Sequence, residues 1–293
     1  MEWSERMNAA IDYIEDNLAG EVDFNKAAEK ACCSTFHFQR MFFAIFSVTP
    51  VEFTRRRRLT LAAREITSTN SRIIDIALKY GYESPVSFTR AFRNMHGVTP
   101  TAAREQGVML TAYPRISFNI ILNGGNDMDY RINEKPAFEV IGKAREFTIV
   151  NGENLIKIPQ FWEEFTGSKE YQELSNLSEG KPGPITGGED LGVCIAGETM
   201  EVFTYAIAVE KPEEANTAGF DVIQIPAATW AVFESIGPMP KAIQDVTVRI
   251  FQEWFPSTGY EHDAKPELEV YLPGDPNSPD YRCQVWVPIV KKN

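Results

Sequence analysis

The sequence predicts a multidomain protein. An all-α N-terminal domain with two helix-turn-helix units precedes an α+β C-terminal domain of two β-α-β-β halves forming a ligand cleft. Three observations predict this. The first hundred residues repeat themselves at an offset of 50, the remainder twice runs strand, helix, strand, strand, and the charge divides between the two parts. The 293 residues suit two domains of about 100–200 residues each, and 43% hydrophobic with 24% charged residues is ordinary for a globular chain.

The net charge of −12 conceals the division. Residues 1–110 carry 14 Lys and Arg against 13 Asp and Glu, whereas residues 111–293 carry 15 against 28. Within the first part, residues 32–104 hold 11 against 4. A basic block joined to an acidic one points to a polyanion partner for the first alone. No apolar run reaches the roughly 18 residues a membrane helix needs, so no membrane partner is expected. The acidic start lacks the basic-then-apolar pattern of a secretory leader. Four cysteines without a Cys-x-x-Cys pair read as reduced thiols of a cytoplasmic protein, and three histidines leave no metal or other cofactor expected.

At the offset of 50, Ser34, Phe38, Arg40 and Phe42 align with Ser84, Phe88, Arg90 and Phe92, and Val48-Thr49-Pro50 with Val98-Thr99-Pro100. Seven identities in seventeen positions, against about one by chance, indicate a duplication. A short helical pattern precedes each unit, and there Ala28-x3-Cys32 matches Ala77-x3-Gly81. Gly81 suits the left-handed residue of a tight turn. Ser34 and Ser84 stand where an N-cap would start the next helix. The phenylalanine pairs lie four apart and face a core. Each unit therefore reads as helix, turn, capped helix, ended by Val-Thr-Pro. Residues 51–68 form the helix between them, and its Arg55, Arg56 and Arg57, within a run of four, are read as phosphate contacts.

These stretches, Ser34-x3-Phe38-Gln-Arg40-Met-Phe42 and Ile76-Ala-Leu-Lys-Tyr-Gly81-Tyr-Glu-Ser84-x3-Phe88-Thr-Arg90-Ala-Phe92, resemble the AraC/XylS-type DNA-binding domain. The resemblance covers about residues 5–107 and implies seven helices, the third and sixth entering successive major-groove segments. Carried over by position, Thr35, Phe36, Gln39 and Arg40 would face the groove from the first reading helix. Pro85, Val86, Ser87, Thr89, Arg90 and Arg93 would do so from the second. Arginine takes guanine bidentately and glutamine adenine, so the residue types suit that place.

In the acidic part, alternating Ile116, Phe118, Ile120 and Leu122, a glycine turn, and alternating Met128, Tyr130 and Ile132 predict a hairpin. Two parallel passages follow. The first has a strand at 138–147, a helix at 158–165 and strands at 191–196 and 201–209. The second has a strand at 229–236, a helix at 240–255 and strands at 267–272 and 283–290. The expected boundaries are 1–107, a linker with the first strand at 108–126, and a small-molecule-binding domain at 127–293. Two such halves leave a cleft at their junction. Phe147, Trp162, Phe165, Tyr205, Trp230, Phe233, Trp254, Tyr271 and Trp286 are its candidate lining, and aromatic faces in an acidic domain favour an apolar or cationic ligand.

This part resembles the GyrI-like effector-binding domain, through Met128-Asp-Tyr-Arg-Ile, Gly142, Trp254-Phe-Pro-x2-Gly259-Tyr260, Glu267-Leu-Glu269-Val-Tyr271 and Gln284-Val-Trp286-Val-Pro288. The whole layout is similar to Rob-like members of the AraC family. The resemblance implies binding of drug-like, lipophilic or cationic compounds, with a glutamate at the base of the pocket where this chain has Gln284. An amide cannot offset a buried positive charge. Either Glu234, Glu267 or Glu269 supplies it, the ligand is neutral, or position 284 is naturally glutamate.

Two functions compete at this stage. One is a transcription activator that binds double-stranded promoter DNA, senses a small-molecule effector and engages RNA polymerase as a monomer or dimer. The other is a GyrI-like hydrolase of strained electrophiles, with Gln284 and Tyr271 at its centre. The second is expected to be active only if position 284 is naturally glutamate, since an amide is no general base.

Overall fold

The computed structural model describes residues 3–118, 128–178, 183–197, 199, 201–213 and 217–291. The chain forms two compact units. One comprises Met1–Thr35 and Pro50–Asn119, the other Phe36–Thr49 and Ile120–Asn293.

The first unit is helical: α1 (Trp3–Asp16), α2 (Phe24–Lys30), α4 (Pro50–Ser68), α5 (Ile73–Lys79), α6 (Pro85–His96) and a 3-10 turn at Ala102–Arg104. The helix numbered α3 (Thr35–Phe46) belongs to the second unit, apart from its first residue. The duplication carries through to the backbone. Cys32 (φ 55°) and Gly81 (φ 79°) both turn left-handed after the first helix of a unit. Ser47 (φ 57°) and Gly97 (φ 76°) do the same after the second. Where the sequence expects seven helices, six α-helices and the 3-10 turn are found. Leu59, Ala62, Ile66, Ile76, Ala77, Tyr80, Phe88 and Phe92 make the core beneath α4, α5 and α6.

The second unit is built on a nine-stranded antiparallel sheet. Its strands are β1 (Tyr130–Lys135), β2 (Phe138–Thr148), β3 (Asp190–Ala196), β4 (Val202–Glu210), β5 (Asp221–Ile225), β6 (Ala228–Ile236), β7 (Tyr260–His262), β8 (Glu267–Tyr271) and β9 (Arg282–Lys291). They run in the order β1-β6-β9-β8-β3-β4-β2-β5, with β7 beside β9. Helices α7 (Asn154–Thr166) and α8 (Lys169–Ser178) follow β2, and α9 (Lys241–Arg249) follows β6. From α9 the chain continues as a π-helical stretch, Ile250–Trp254, and a final turn, Phe255–Ser257.

Both expected β-α-β-β passages are present, meeting where β3 pairs β8. Each is preceded by one more strand, and these are exchanged: β1 leads into β2 yet pairs with β6, while β5 leads into β6 yet pairs with β2. Pro136-Ala137 and Pro226-Ala227 stand between the members of each consecutive pair, and proline removes a ladder donor at that point. The expected hairpin across 116–132 does not form as read. Residues 116–118 carry no strand, because Asn8 takes both backbone groups of Phe118, at 2.7 and 2.8 Å. Its turn lies outside the described residues, and its second arm is β1.

Candidate functional sites

Ser84 caps α6 by accepting the Ser87 backbone N–H at 3.1 Å, with Pro85 in the first turn. Phe88 and Phe92 are buried and fix which side faces the core. The other side carries Pro85, Val86, Ser87, Arg90, Arg93 and Asn94 in the open, Val86 being 78% exposed. Pro85, Val86, Thr89, Arg90, Arg93 and Asn94 line one open concavity with Thr99. The residues that sequence reading assigns to the second reading helix thus share one accessible, basic face.

The arginines of α4 divide. Arg55 and Arg56 remain partly accessible on either side of Glu52. Arg57 corrects the expectation of phosphate contact. It grips Glu15 through two bonds of 2.6 and 2.9 Å, donates to the Tyr113 carbonyl at 2.6 Å, and is 9% exposed. Its charge is spent holding α1 and α4 together.

The first reading helix differs from the second in kind. Not one residue from Thr35 to Phe46 is exposed. Gln39 is fully buried, and Phe36 and Phe43 join the cluster of Phe147, Phe161, Trp162 and Phe203. Arg40 Nη2 lies 2.7 Å from Glu267 Oε2, with its guanidinium over the Phe36 ring. His37 stacks on His262 and touches Phe251 and Phe255, while Gln252 Nε2 donates to the Ala44 carbonyl at 2.9 Å. The open groove-facing set expected for Phe36, Gln39 and Arg40 is therefore absent in this arrangement. The physical reason is composition: eight of the twelve residues of α3 are apolar, and Phe43-Ala-Ile-Phe46 stand where α6 has Arg93-Asn-Met-His96, so α3 has more than one face to bury.

Glu267 is saturated by its neighbours. The Ala264 N–H donates to His262 Nδ1, which leaves the proton on Nε2 to donate to Glu267 Oε1 at 3.1 Å. Burial pushes the Glu267 carboxyl up, but Arg40 and His262 outweigh it and hold it below the ordinary range. Burial, with His262 and Arg40 nearby, keeps His37 neutral. The ligand atoms of His37, His262 and Glu267 lie within 4.8 Å of one another, close enough for a cation. The guanidinium already supplies that charge.

Two residues along β8, on the same face, stands Glu269. Tyr205 and Tyr271 donate to its Oε2 at 2.5 and 2.8 Å, and Trp162 Nε1 donates to Tyr205 at 2.9 Å. Gly192 lies opposite on β3, and a Cβ there would meet Tyr205 Oη at 2.1 Å and Glu269 Oε2 at 2.5 Å. Glycine is what lets the phenol reach the carboxylate. Crowding by protein raises the Glu269 carboxyl against the opposing effect of both phenols, and burial beside this carboxylate lifts both tyrosines well above their usual value. Trp162, Glu269 and Tyr271 stay partly accessible.

Gln284 is elsewhere. It pairs with Val270, whose side chain points to the opposite face from Glu269 and Tyr271, and accepts from Trp286 Nε1 at 2.9 Å. Trp230 and Trp286 join the core of that opposite face, and Phe233 packs with Trp254 and Tyr130 in the second half. Of the ten expected lining residues, Trp162, Tyr205 and Tyr271 meet around Glu269, with Phe147 and Phe165 in the core behind them. Alternation along β8, counted across to β9, separates position 284 from this cluster.

Residues 128–290 match the family described as the GyrI-like small molecule binding domain, and residues 27–106 match a helix-turn-helix domain family. The transcriptional activator AarP of Providencia stuartii is 37% identical over 92 residues, 31% of this chain and 68% of that protein. The multiple antibiotic resistance protein MarA of Salmonella typhimurium is 30% identical over 120 residues, 41% of this chain and 91% of that protein. Among solved structures, SAV2435 bound to tetraphenylphosphonium aligns over 56% of this chain and 94% of its own, at 25% identity and a TM-score of 0.47. The chain belongs to the AraC/XylS family of DNA-binding transcription regulators, its helix-turn-helix region joined to a GyrI-like domain that senses small molecules.

Proposed function

We propose that this regulator activates transcription from promoter DNA, reading a major groove with α6, and that an aromatic, lipophilic cation held at Glu269 sets its activity. The open face of α6 supports the first part, since Arg90 and Arg93 stand beside small residues that let a backbone approach. Glu269 carries the second. Its hydrogen bonds come from two phenols beneath an indole, so a bound cation gains both a carboxylate and ring faces. AarP is named an activator, which supports recruitment of RNA polymerase over exclusion of it. Such a protein acts in the cytoplasm, where one chain with two reading helices can span adjacent half-sites.

Calorimetry with methyltriphenylphosphonium and its neutral near-isostere triphenylphosphine oxide tests the effector half. The wild type is expected to prefer the cation, and Glu269→Gln to lose that preference by tenfold or more. Equal binding of both compounds to both proteins would remove Glu269 from the site. A second reading, hydrolysis of strained electrophiles, is favoured by the 2.8 Å contact of Tyr271 with Glu269, a carboxylate whose raised pKa suits a general base. Mass analysis of an aryl epoxide incubated with the same two proteins checks it, with turnover expected only where Glu269 is intact.

A further inference from the structure

The two reading helices arise from one duplicated sequence, yet they meet opposite fates, and the difference converges on Arg40. Its counterpart Arg90 is exposed on α6. Arg40 is only 18% exposed and lies on the sheet, held by Glu267 and near enough to Glu269 to feel its charge. Glu267 and Glu269 are alternate residues of one strand, so their Cα atoms lie about 6.6 Å apart on the same face. Cys194, opposite Glu267 on β3, also interacts with the guanidinium through its thiol.

We propose that this packing is an intramolecular latch, in which Glu267 takes the place of a DNA phosphate or base on Arg40 and keeps α3 unavailable for reading. Cation binding at Glu269 opens it. A positive charge placed against Glu269 cancels the attraction that Glu269 exerts on Arg40 and adds repulsion from the same side, in surroundings where charges are weakly screened. The guanidinium then loses part of what holds it on the sheet, and α3 leaves with the loss. Helix α3 is also held by the stack of His37 on His262, by the hydrogen bond from Gln252 to the Ala44 carbonyl and by Phe36 and Phe43 on the aromatic cluster, none of which carries the charge that the cation acts on. A neutral ligand of the same shape lacks the charge and leaves the latch shut. By linkage, DNA that captures α3 must raise cation affinity by the same factor that the cation raises DNA affinity. This mechanism rests on the reading of Glu269 as the effector site and goes beyond it in naming Arg40–Glu267 as what the effector acts on.

The test uses the full chain with methyltriphenylphosphonium and a duplex selected from a random pool by the wild-type protein. Hydrogen exchange of peptides covering residues 35–46 reports docking of α3, and peptides covering 85–96 serve as the control. The cation is expected to raise exchange in 35–46 alone and to tighten the duplex by about 5–150-fold, the usual range of such couplings. Triphenylphosphine oxide should do neither. Glu267→Gln should deprotect residues 35–46 and tighten the duplex without cation, and the cation should then add little. Bound cation with unchanged exchange in 35–46 would overturn the latch, as would a folded Glu267→Gln that keeps the helix protected. If the cation fails to bind at all, the effector reading falls, while the Glu267→Gln arm still decides whether the latch exists. If that variant does not fold, the wild-type exchange experiment decides alone.

Discussion

Arg40 and Arg90 are fifty residues apart and hold the same place in two copies of one helix, but Arg40 lies 2.7 Å from the Glu267 carboxylate while Arg90 is exposed. The identity of the copies is local, since the serine before the helix, the core phenylalanines and the terminal left-handed residue recur in both. What separates them is the last turn, Phe43-Ala-Ile-Phe46 in α3 against Arg93-Asn-Met-His96 in α6.

Because Arg90 is exposed on the side of α6 away from the buried Phe88 and Phe92, Arg90→Ala should leave the melting temperature unchanged. It should weaken a selected duplex by about 1–3 kcal/mol and relax preference at one base position. Selection of preferred sequences from a random pool, run for both proteins, reads the second effect.

Arg57 belongs to the opposite class. Removing either Arg57 or Glu15 strands a buried charge, so each single alanine variant should cost about 3–5 kcal/mol. Denaturant unfolding of Arg57→Ala measures it. A variant with normal stability and weakened DNA binding would return Arg57 to the phosphate face.

Gly192→Ala should collapse the effector site. The added methyl overlaps both the Tyr205 hydroxyl and Glu269, and one of them must move. A loss of about 1–3 kcal/mol in stability is expected from such overpacking, with cation binding lost by calorimetry.

Glu269→Gln should stabilise the protein while disabling it. A carboxyl whose folded pKa is raised binds its proton more tightly when folded, so its ionisation opposes folding as pH rises through the carboxylate range. The gain in melting temperature should therefore be seen near pH 7 and shrink toward pH 4, a comparison that two thermal scans provide.

Glu267 carries the opposite sign. Its carboxyl is held below the ordinary value of 4.5, so its stabilisation is complete above that value and is lost as pH falls through the lower folded one. Exchange in residues 35–46, corrected for intrinsic rates, should stay flat from pH 7 to about pH 5 and rise below that, and a flat profile to pH 3 would contradict this.

The duplication, the two β-α-β-β passages and the open side of α6 were legible because each depends on neighbours in sequence. Position 284 misled because a strand's two faces are told apart only by counting across to its partner, and Val270 is the residue that settles the count. The hairpin failed because Asn8, 110 residues away, claims the backbone of Phe118. The burial of α3 was there to be read in eight apolar residues among twelve, masked by the repeat that makes it look like α6. The role of Gly192 needed Tyr205 and Glu269 together, on strands that only the fold brings side by side.

The exchange of β1 and β5 binds the sensing domain into a single inheritance. Each half lends the other its outermost strand, so neither completes its own part of the sheet alone. A cut between Glu210 and Asp221 would yield two fragments, each carrying one strand of the other's sheet and missing one of its own. They should find each other rather than a stranger, and the reassembled pair would be a sensor made of two chains.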